Sequence, residues 1–354
     1  MLMEFESLVG LLENLISIPS FSREEASAAD FLWNWLDDKG FNPRRIGNNI
    51  WLASPENGDD RPAILLNAHI DTVRPSAGYA RDPFKPEIED GRLYGLGSND
   101  DGGSLIALLG AYVELSSRPQ PYRLIYSVTA EEEVSGKGGI EAILPSVGRI
   151  DLGIIGEPTG MDMAVAEKGL MVLDCTSIGK SGHAARNEGV NAIYEALPSI
   201  EWFRTHQFER VSSFLGPVKM TVTQINAGTQ HNVVPDRCSF VVDVRPNGLY
   251  SNVELLDEIV DSVCCDVKAR STRLGSSHIR EDHPVVQRGL SLGLKQFGSP
   301  TTSNQALVGF TTIKIGPGDS SRSHSADEYI GIEEMKSAVG TYVNLLDGLN
   351  IKRK

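Results

Sequence analysis

The chain has 354 residues, 40% of them hydrophobic, and a formal net charge of −14. A chain of this length buries a full core and divides more readily into two domains than one, and its acidic balance argues against nucleic acid as a partner. It contains no uncharged apolar run of about 18 residues, the length a membrane helix needs, so no membrane partner is expected.

In chain order, Phe5, Leu8, Val9, Leu12, Leu15 and Ile16 recur at helical spacing, and Pro19 closes that helix. Glu4, Glu6 and Glu13 interrupt the apolar residues there, which is not the pattern of a secretory signal; a cytoplasmic location is expected. Ser22 to Glu25 has capping-box spacing ahead of a second helix through Phe31, Leu32, Trp35 and Leu36, with Gly40 at its end. Residues 49–53 read as a short strand and 63–70 as a buried central one; 72–93 read as a long ordered loop with a hairpin at 88–93. A glycine-rich stretch, 94–103, opens an apolar helix through Leu105, Leu108, Leu109 and Tyr112, and 123–129 and 151–156 are two more buried strands.

From about residue 167 to 269 the pattern changes. Strand-like runs at 170–178, 218–225 and 238–244 alternate with helical ones at 192–203 and 252–263, an order that makes one small sheet covered by two helices. Helix and strand elements then return at 284–297, 312–315 and 332–346. The expected fold is α/β: a larger domain (1–166 and 277–354) interrupted by a smaller α+β one (167–276). Cys175, Cys238, Cys264 and Cys265 have neither C-x-x-C spacing nor nearby histidines and read as reduced, mostly buried residues.

The chemistry concentrates at strand ends. His69 and Asp71 stand two residues apart, so both leave the strand on one face. The strand 123–129 runs into Ala130-Glu131-Glu132-Glu133, the strand 151–156 into Glu157, and the loop before the apolar helix adds Asp100. In a parallel sheet these carboxyl ends lie side by side. Four carboxylates and an imidazole cannot stay ionised together without cations, and divalent metal resolves the conflict.

Assembled in order, Ala68-His69-Ile70-Asp71, Gly97-Ser98-Asn99-Asp100, Thr129 to Glu133, Gly156-Glu157-Pro158-Thr159, Ser181-Gly182-His183-Ala184 and Ser323-His324 through Tyr329 resemble the dinuclear-zinc M20 peptidase and deacylase family. The resemblance implies a three-layer α/β/α catalytic domain with an inserted ferredoxin-like dimerisation domain, in which Asp100 bridges two metals, with His69 and Glu157 completing one and Glu133 and His324 the other. It also implies Asp71 as the support of His69, Glu132 as the general base, and two Zn2+ per subunit, with Co2+ or Mn2+ as substitutes. His183 would reach a partner subunit's site in a homodimer and stabilise an oxyanion; Arg245 would grip a substrate carboxylate, and Asn232 and Gly318 would border the substrate. Relatives commonly carry a lysine where this chain has Gly102. Within the family the chain is most similar to the acetylornithine deacetylases, which implies removal of an acetyl or succinyl group from an Nα-acylated ornithine or citrulline in arginine biosynthesis. Succinyl-diaminopimelate desuccinylases and the family's dipeptidases and carboxypeptidases are the rival activities. A non-catalytic binding relative would have lost a ligand or the base, and none is missing.

Overall fold

Seven consecutive buried residues make Ala63–His69 a central strand of the larger sheet. It runs parallel to Arg123–Thr129 on one side and to Leu152–Ile155 on the other, and Leu152–Ile155 is in turn parallel to Thr312–Lys314. The register sets His69 beside Thr129, Asn67 beside Ile155 and Ile155 beside Lys314, so four carboxyl ends open along one edge. Asn49–Ala53 pairs antiparallel outside Arg123–Thr129. The computed structural model describes residues 3–53, 60–186 and 188–353.

Both faces of this sheet are covered, as parallel strands of continuous apolar sequence require. Alternate residues Ala63, Leu65 and Ile125 join Ile140, Ile143 and Val147 of the helix Ile140–Val147 in one cluster. Tyr126 leaves the opposite face and donates to the Leu105 carbonyl at 3.0 Å, which fixes the helix Gly103–Ser116 on that side. That helix is buried nearly all round, the mark of a core helix rather than a surface one. Gly110 lets its neighbours close in: a Cβ there would lie 3.0 Å from Val339 and 3.1 Å from Leu8.

The chain divides into two compact units, Met1–Val165 with His278–Phe297 and Ser303–Lys354, and Ala166–Ser277 with Gly298–Thr302. The second unit holds an antiparallel sheet in the order Lys219–Ala227, Arg237–Arg245, Met171–Ile178, Asp266–Ala269, with the helices Ala192–Thr205 and Asn252–Ser262 between its strands in sequence. That βαββαβ order and strand arrangement is ferredoxin-like. Met171, Leu173, Cys175, Cys238, Phe240, Val242 and Val244 alternate inward onto Ala192, Ala196, Phe203, Leu255 and Ile259.

Three local expectations change. The capping box before the second helix does not form: Glu25 is the N-cap of Ala26–Asp38 without a side-chain cap bond, and the Ser22 hydroxyl donates instead to the buried carboxylate of Asp71 at 2.7 Å. Residues 284–297 are a helix, Pro284–Ser291, followed by the strand Gln296–Ser299. Residues 298–302 group with the inserted unit, where the Ser299 carbonyl accepts from the Lys168 N–H at 3.0 Å. Among the described residues no helix is long and apolar enough to cross a membrane.

Candidate metal centre

Three of the aligned strand ends, with the segments carrying Asp100 and His324, deliver the cluster. His69 closes its strand, and its Nε2 lies 3.1 Å from Oδ1 of Asp100. On the far side of that carboxylate, His324 Nε2 stands 3.8 Å from Asp100 Oδ2 and 3.0 Å from Glu133 Oε2. One carboxylate therefore faces two imidazoles through its two oxygens. Donor atoms of His69, Glu132 and Glu157 lie within 4.8 Å of one another, and so do those of His69, Asp100 and Glu133.

Asp71 organises this arrangement in a way its spacing did not reveal. His69 Nδ1 is 2.9 Å from the main-chain oxygen of Asp71 and 3.6 Å from its carboxylate, so the carbonyl rather than the carboxylate is the closer partner of the ring. The carboxylate accepts the backbone N–H groups of Glu132 at 2.9 Å and Glu133 at 3.1 Å, besides the Ser22 hydroxyl. It thereby fixes the turn that presents both glutamates.

The electrostatics match a site made for cations. Burial pushes Glu132 up to about 8, with the nearby His69 opposing and the Glu133, Asp71 and Asp100 charges adding. Glu157 is held well above the usual carboxylate range by burial and then by Glu132 and Asp100, against the pull of the buried Lys314 ammonium. His324 is raised to about 9, chiefly by its bond to Glu133. His69 is raised although burial alone would lower it, because the Asp100 and Asp71 contacts outweigh that cost. Carboxylates so crowded need positive charge, and carboxylate oxygens with imidazole nitrogens form a donor set that fits divalent cations.

Asp101, next to the candidate bridging residue, was not singled out by spacing; burial raises it to about 7, and its Oδ2 accepts from the His69 N–H at 3.3 Å. Gly102 has no room for a side chain: a Cβ would lie 2.5 Å from both the Gly97 carbonyl oxygen and Leu12. Gly318, at φ 88°, sits against Asn99 in the same unit.

The remaining candidates belong to the inserted unit. His183 and Asn232 come together there: Gly182–His183 pairs with Val233–Val234, the Asn232 carbonyl accepts from the Ala184 N–H at 3.0 Å, and the exposed His183 ring accepts from the Ala185 N–H at 3.1 Å. Arg245 is half-buried, forked onto Asp243 at 2.8 and 3.0 Å, with Nη1 3.3 Å from the Thr302 hydroxyl.

Named proteins resemble this chain along nearly its whole length. An acetylornithine deacetylase of Proteus mirabilis is 29% identical over 95% of this chain and 96% of its own length. A succinyl-diaminopimelate desuccinylase of Delftia acidovorans is 26% identical over 96% and 97%. Among solved structures, aminopeptidase PepT of Bacillus cereus superposes with a TM-score of 0.78 at 20% identity, covering 98% of this chain and 99% of that one. The YXEP protein of Bacillus subtilis, described as a dinuclear metal-binding peptidase, gives 0.72 at 14% identity, covering 97% of each chain. The sequence pattern of Peptidase family M20/M25/M40 matches residues 65–348, a span holding every residue of the cluster, and the chain belongs to this hydrolase family.

Proposed function

We propose that the chain is a two-cation amidohydrolase that removes the acyl group from an Nα-acylated amino acid, with N-acetylornithine as the favoured substrate and arginine biosynthesis as its setting. The observation that carries the reading is Asp100 standing between His69 and His324, with Glu133 grouped beside it and Glu157 grouped with His69 and Glu132, in a chain whose full-length relatives bear the names of deacylases. His69, Asp100 and Glu157 would hold one cation and Asp100, Glu133 and His324 the other, zinc in the first instance, and the pair would supply Lewis acidity toward water and the amide carbonyl. Glu132 takes a proton from the attacking water and delivers it to the leaving amine nitrogen, so that water and amide become a carboxylic acid and a free amine. Asp71 keeps Glu132 in place through the backbone N–H it accepts. Arg245 offers a planar fork to the substrate carboxylate, and Asn232 and the Gly318 backbone complete the substrate's surroundings.

A homodimer is part of the proposal. Lys219–Ala227 is an open edge of the inserted unit's sheet, with Ile225 exposed on it and Tyr194 and Leu197 exposed on the helix that packs against it. A second copy covering that edge satisfies its free backbone groups and supplies His183 as an oxyanion donor. The cytoplasm, where free cysteines persist, is the proposed location.

A second reading, desuccinylation of an acylated diamino acid, is favoured by a cluster of cations. Lys219 pairs in register with Arg245, and Lys168 is lowered by burial and then by the charges of these two. Such a cluster suits a substrate with more than one carboxylate. Steady-state hydrolysis by cation-loaded enzyme, with N-acetyl and N-succinyl ornithine, citrulline and diaminopimelate and a few dipeptides, tests both. Each 1.4 kcal/mol of differential contact is about tenfold in kcat/KM. Preference for acylated ornithine or citrulline supports the first reading and preference for the diaminopimelate compound the second. Preference for dipeptides refutes both, as does no turnover at all.

A further inference from the structure

Two buried side chains outside the donor set tie the segment of Asp100 to the segment of His324. Glu328, 2% exposed, accepts three backbone N–H groups: Gly97 at 3.1 Å through Oε2, and Asn99 and Asp100 at 2.9 Å through Oε1. Both oxygens are thus engaged by backbone donors. Asn99, 0% exposed, reaches in the other direction. Its Nδ2 donates to the Asp319 carbonyl at 3.1 Å and the Ser323 hydroxyl at 3.3 Å, and its Oδ1 accepts from the Asp319 N–H at 3.0 Å. Each segment therefore holds the other's backbone.

Two further details give the lock a direction. Ser323 directly precedes His324, whose φ of 56° is a backbone conformation that needs support from its surroundings. The Ser323 hydroxyl also bonds the Asp100 carboxylate, a contact it can keep without Asn99, so the loss of Asn99 falls on the segment that carries His324. The fit is close: a Cβ on Gly318 would lie 2.3 Å from Asn99 Oδ1.

We propose that Asn99 and Glu328 are positioning residues that form a reciprocal lock setting the separation of Asp100 from His324, and that Asn99 specifically governs the cation held by Glu133 and His324. This rests on the reading of the cluster as a two-cation centre. A residue that only stabilised the fold would lower both cation affinities or neither. A residue that places His324 lowers one.

The test is stepwise Zn2+ binding to metal-stripped enzyme, followed by competition with a chromophoric chelator, alongside thermal melts of the metal-free forms. His324→Ala identifies which of the two steps belongs to its side. Asn99→Ala is expected to weaken that same step by about 10- to 100-fold, the usual effect of losing a residue that orients a ligand, while the other step stays within about threefold. Glu328→Gln, which sets an amide group against one of the three N–H donors, is expected to weaken both steps, because Asp100 serves both. It also keeps the question open to test should Asn99→Ala fail to fold. Unchanged binding in both variants overturns the lock, and so does an equal loss at both steps in Asn99→Ala. Failure of the unaltered protein to bind two Zn2+ overturns the two-cation reading itself, an outcome distinct from the others.

Discussion

Replacing Asp71 by asparagine changes one oxygen to an NH2 group and leaves the volume of the side chain almost the same. In the structure three donors converge on that carboxylate: the Ser22 hydroxyl and the Glu133 N–H on Oδ2, and the Glu132 N–H on Oδ1. The hydroxyl can rotate and accept instead. The two backbone groups cannot, so whichever way the carboxamide turns, one N–H of the Glu132–Glu133 turn faces another donor. A hydrogen bond to a charged group contributes about 1.5–3 kcal/mol, and a buried donor left without a partner costs about 1–3 kcal/mol. We expect a net loss of about 3 kcal/mol, which at roughly 2–4 °C per kcal/mol lowers Tm by about 6–12 °C. Relief of the clash moves the turn, and a displacement of about 1 Å at a catalytic group costs on the order of 100-fold in rate. Asp71→Asn should therefore lower kcat about 100-fold and weaken cation binding, whereas Ser22→Ala should leave cation affinity within about threefold. The pH dependence has a fixed sign. Burial would raise Asp71, but its bonds to His69, Ser22 and Glu132 lower it, so its contribution is present above the unfolded value of about 3.9 and is lost as pH falls through the lower folded value. The stability gap between variant and parent should be full at neutral pH and close in acid. Melts across pH, stopped-time hydrolysis and chelator competition measure all three effects. Unaltered kcat and cation affinity in Asp71→Asn would refute the idea that this carboxylate builds the turn.

Stripping the cations should abolish hydrolysis and lower Tm by roughly 10 °C, since a ligand at a thousand times its Kd stabilises by about 4 kcal/mol. Elemental analysis and melts check this, and full activity in verified metal-free protein would refute it. Mixed dimers of Glu132→Ala and His183→Ala subunits, each inactive alone, should recover part of the activity if His183 serves its neighbour; inactive, confirmed heterodimers would remove that role. In the inserted unit, the Cys175 thiol and then the Ser199 hydroxyl, acting against burial, lower Cys265 to about 7. Iodoacetamide should then label Cys265 with a midpoint near that pH in a Cys264→Ser background, read by mass spectrometry; a midpoint at the ordinary thiol value of about 8.5 would contradict the contact.

Much of this protein was legible in one dimension because its signals are local. The buried strands 63–70 and 123–129 are continuous apolar runs, the helix through Leu105 and Tyr112 is apolar all round, and His69, Glu132, Glu133 and Glu157 follow strand ends that a parallel sheet must align. The strand-like runs of the inserted unit, alternating with helical ones, likewise announced a small sheet covered by two helices. What only the folded chain decided is how groups distant in sequence share hydrogen bonds. Ser22 has capping spacing but spends its hydroxyl on Asp71, 49 residues away, because a buried carboxylate draws donors more strongly than an exposed helix end. Asp71 reads as the support of a histidine and proves also to fix the backbone of two glutamates. Asn99 and Glu328 sit inside recognisable motifs, yet their lock joins residues more than two hundred positions apart. Periodicity and strand-end chemistry are properties of neighbouring residues and survive in the sequence. The choice of partner for each buried polar group depends on which segments the sheet brings together, and that is settled only when the chain is packed.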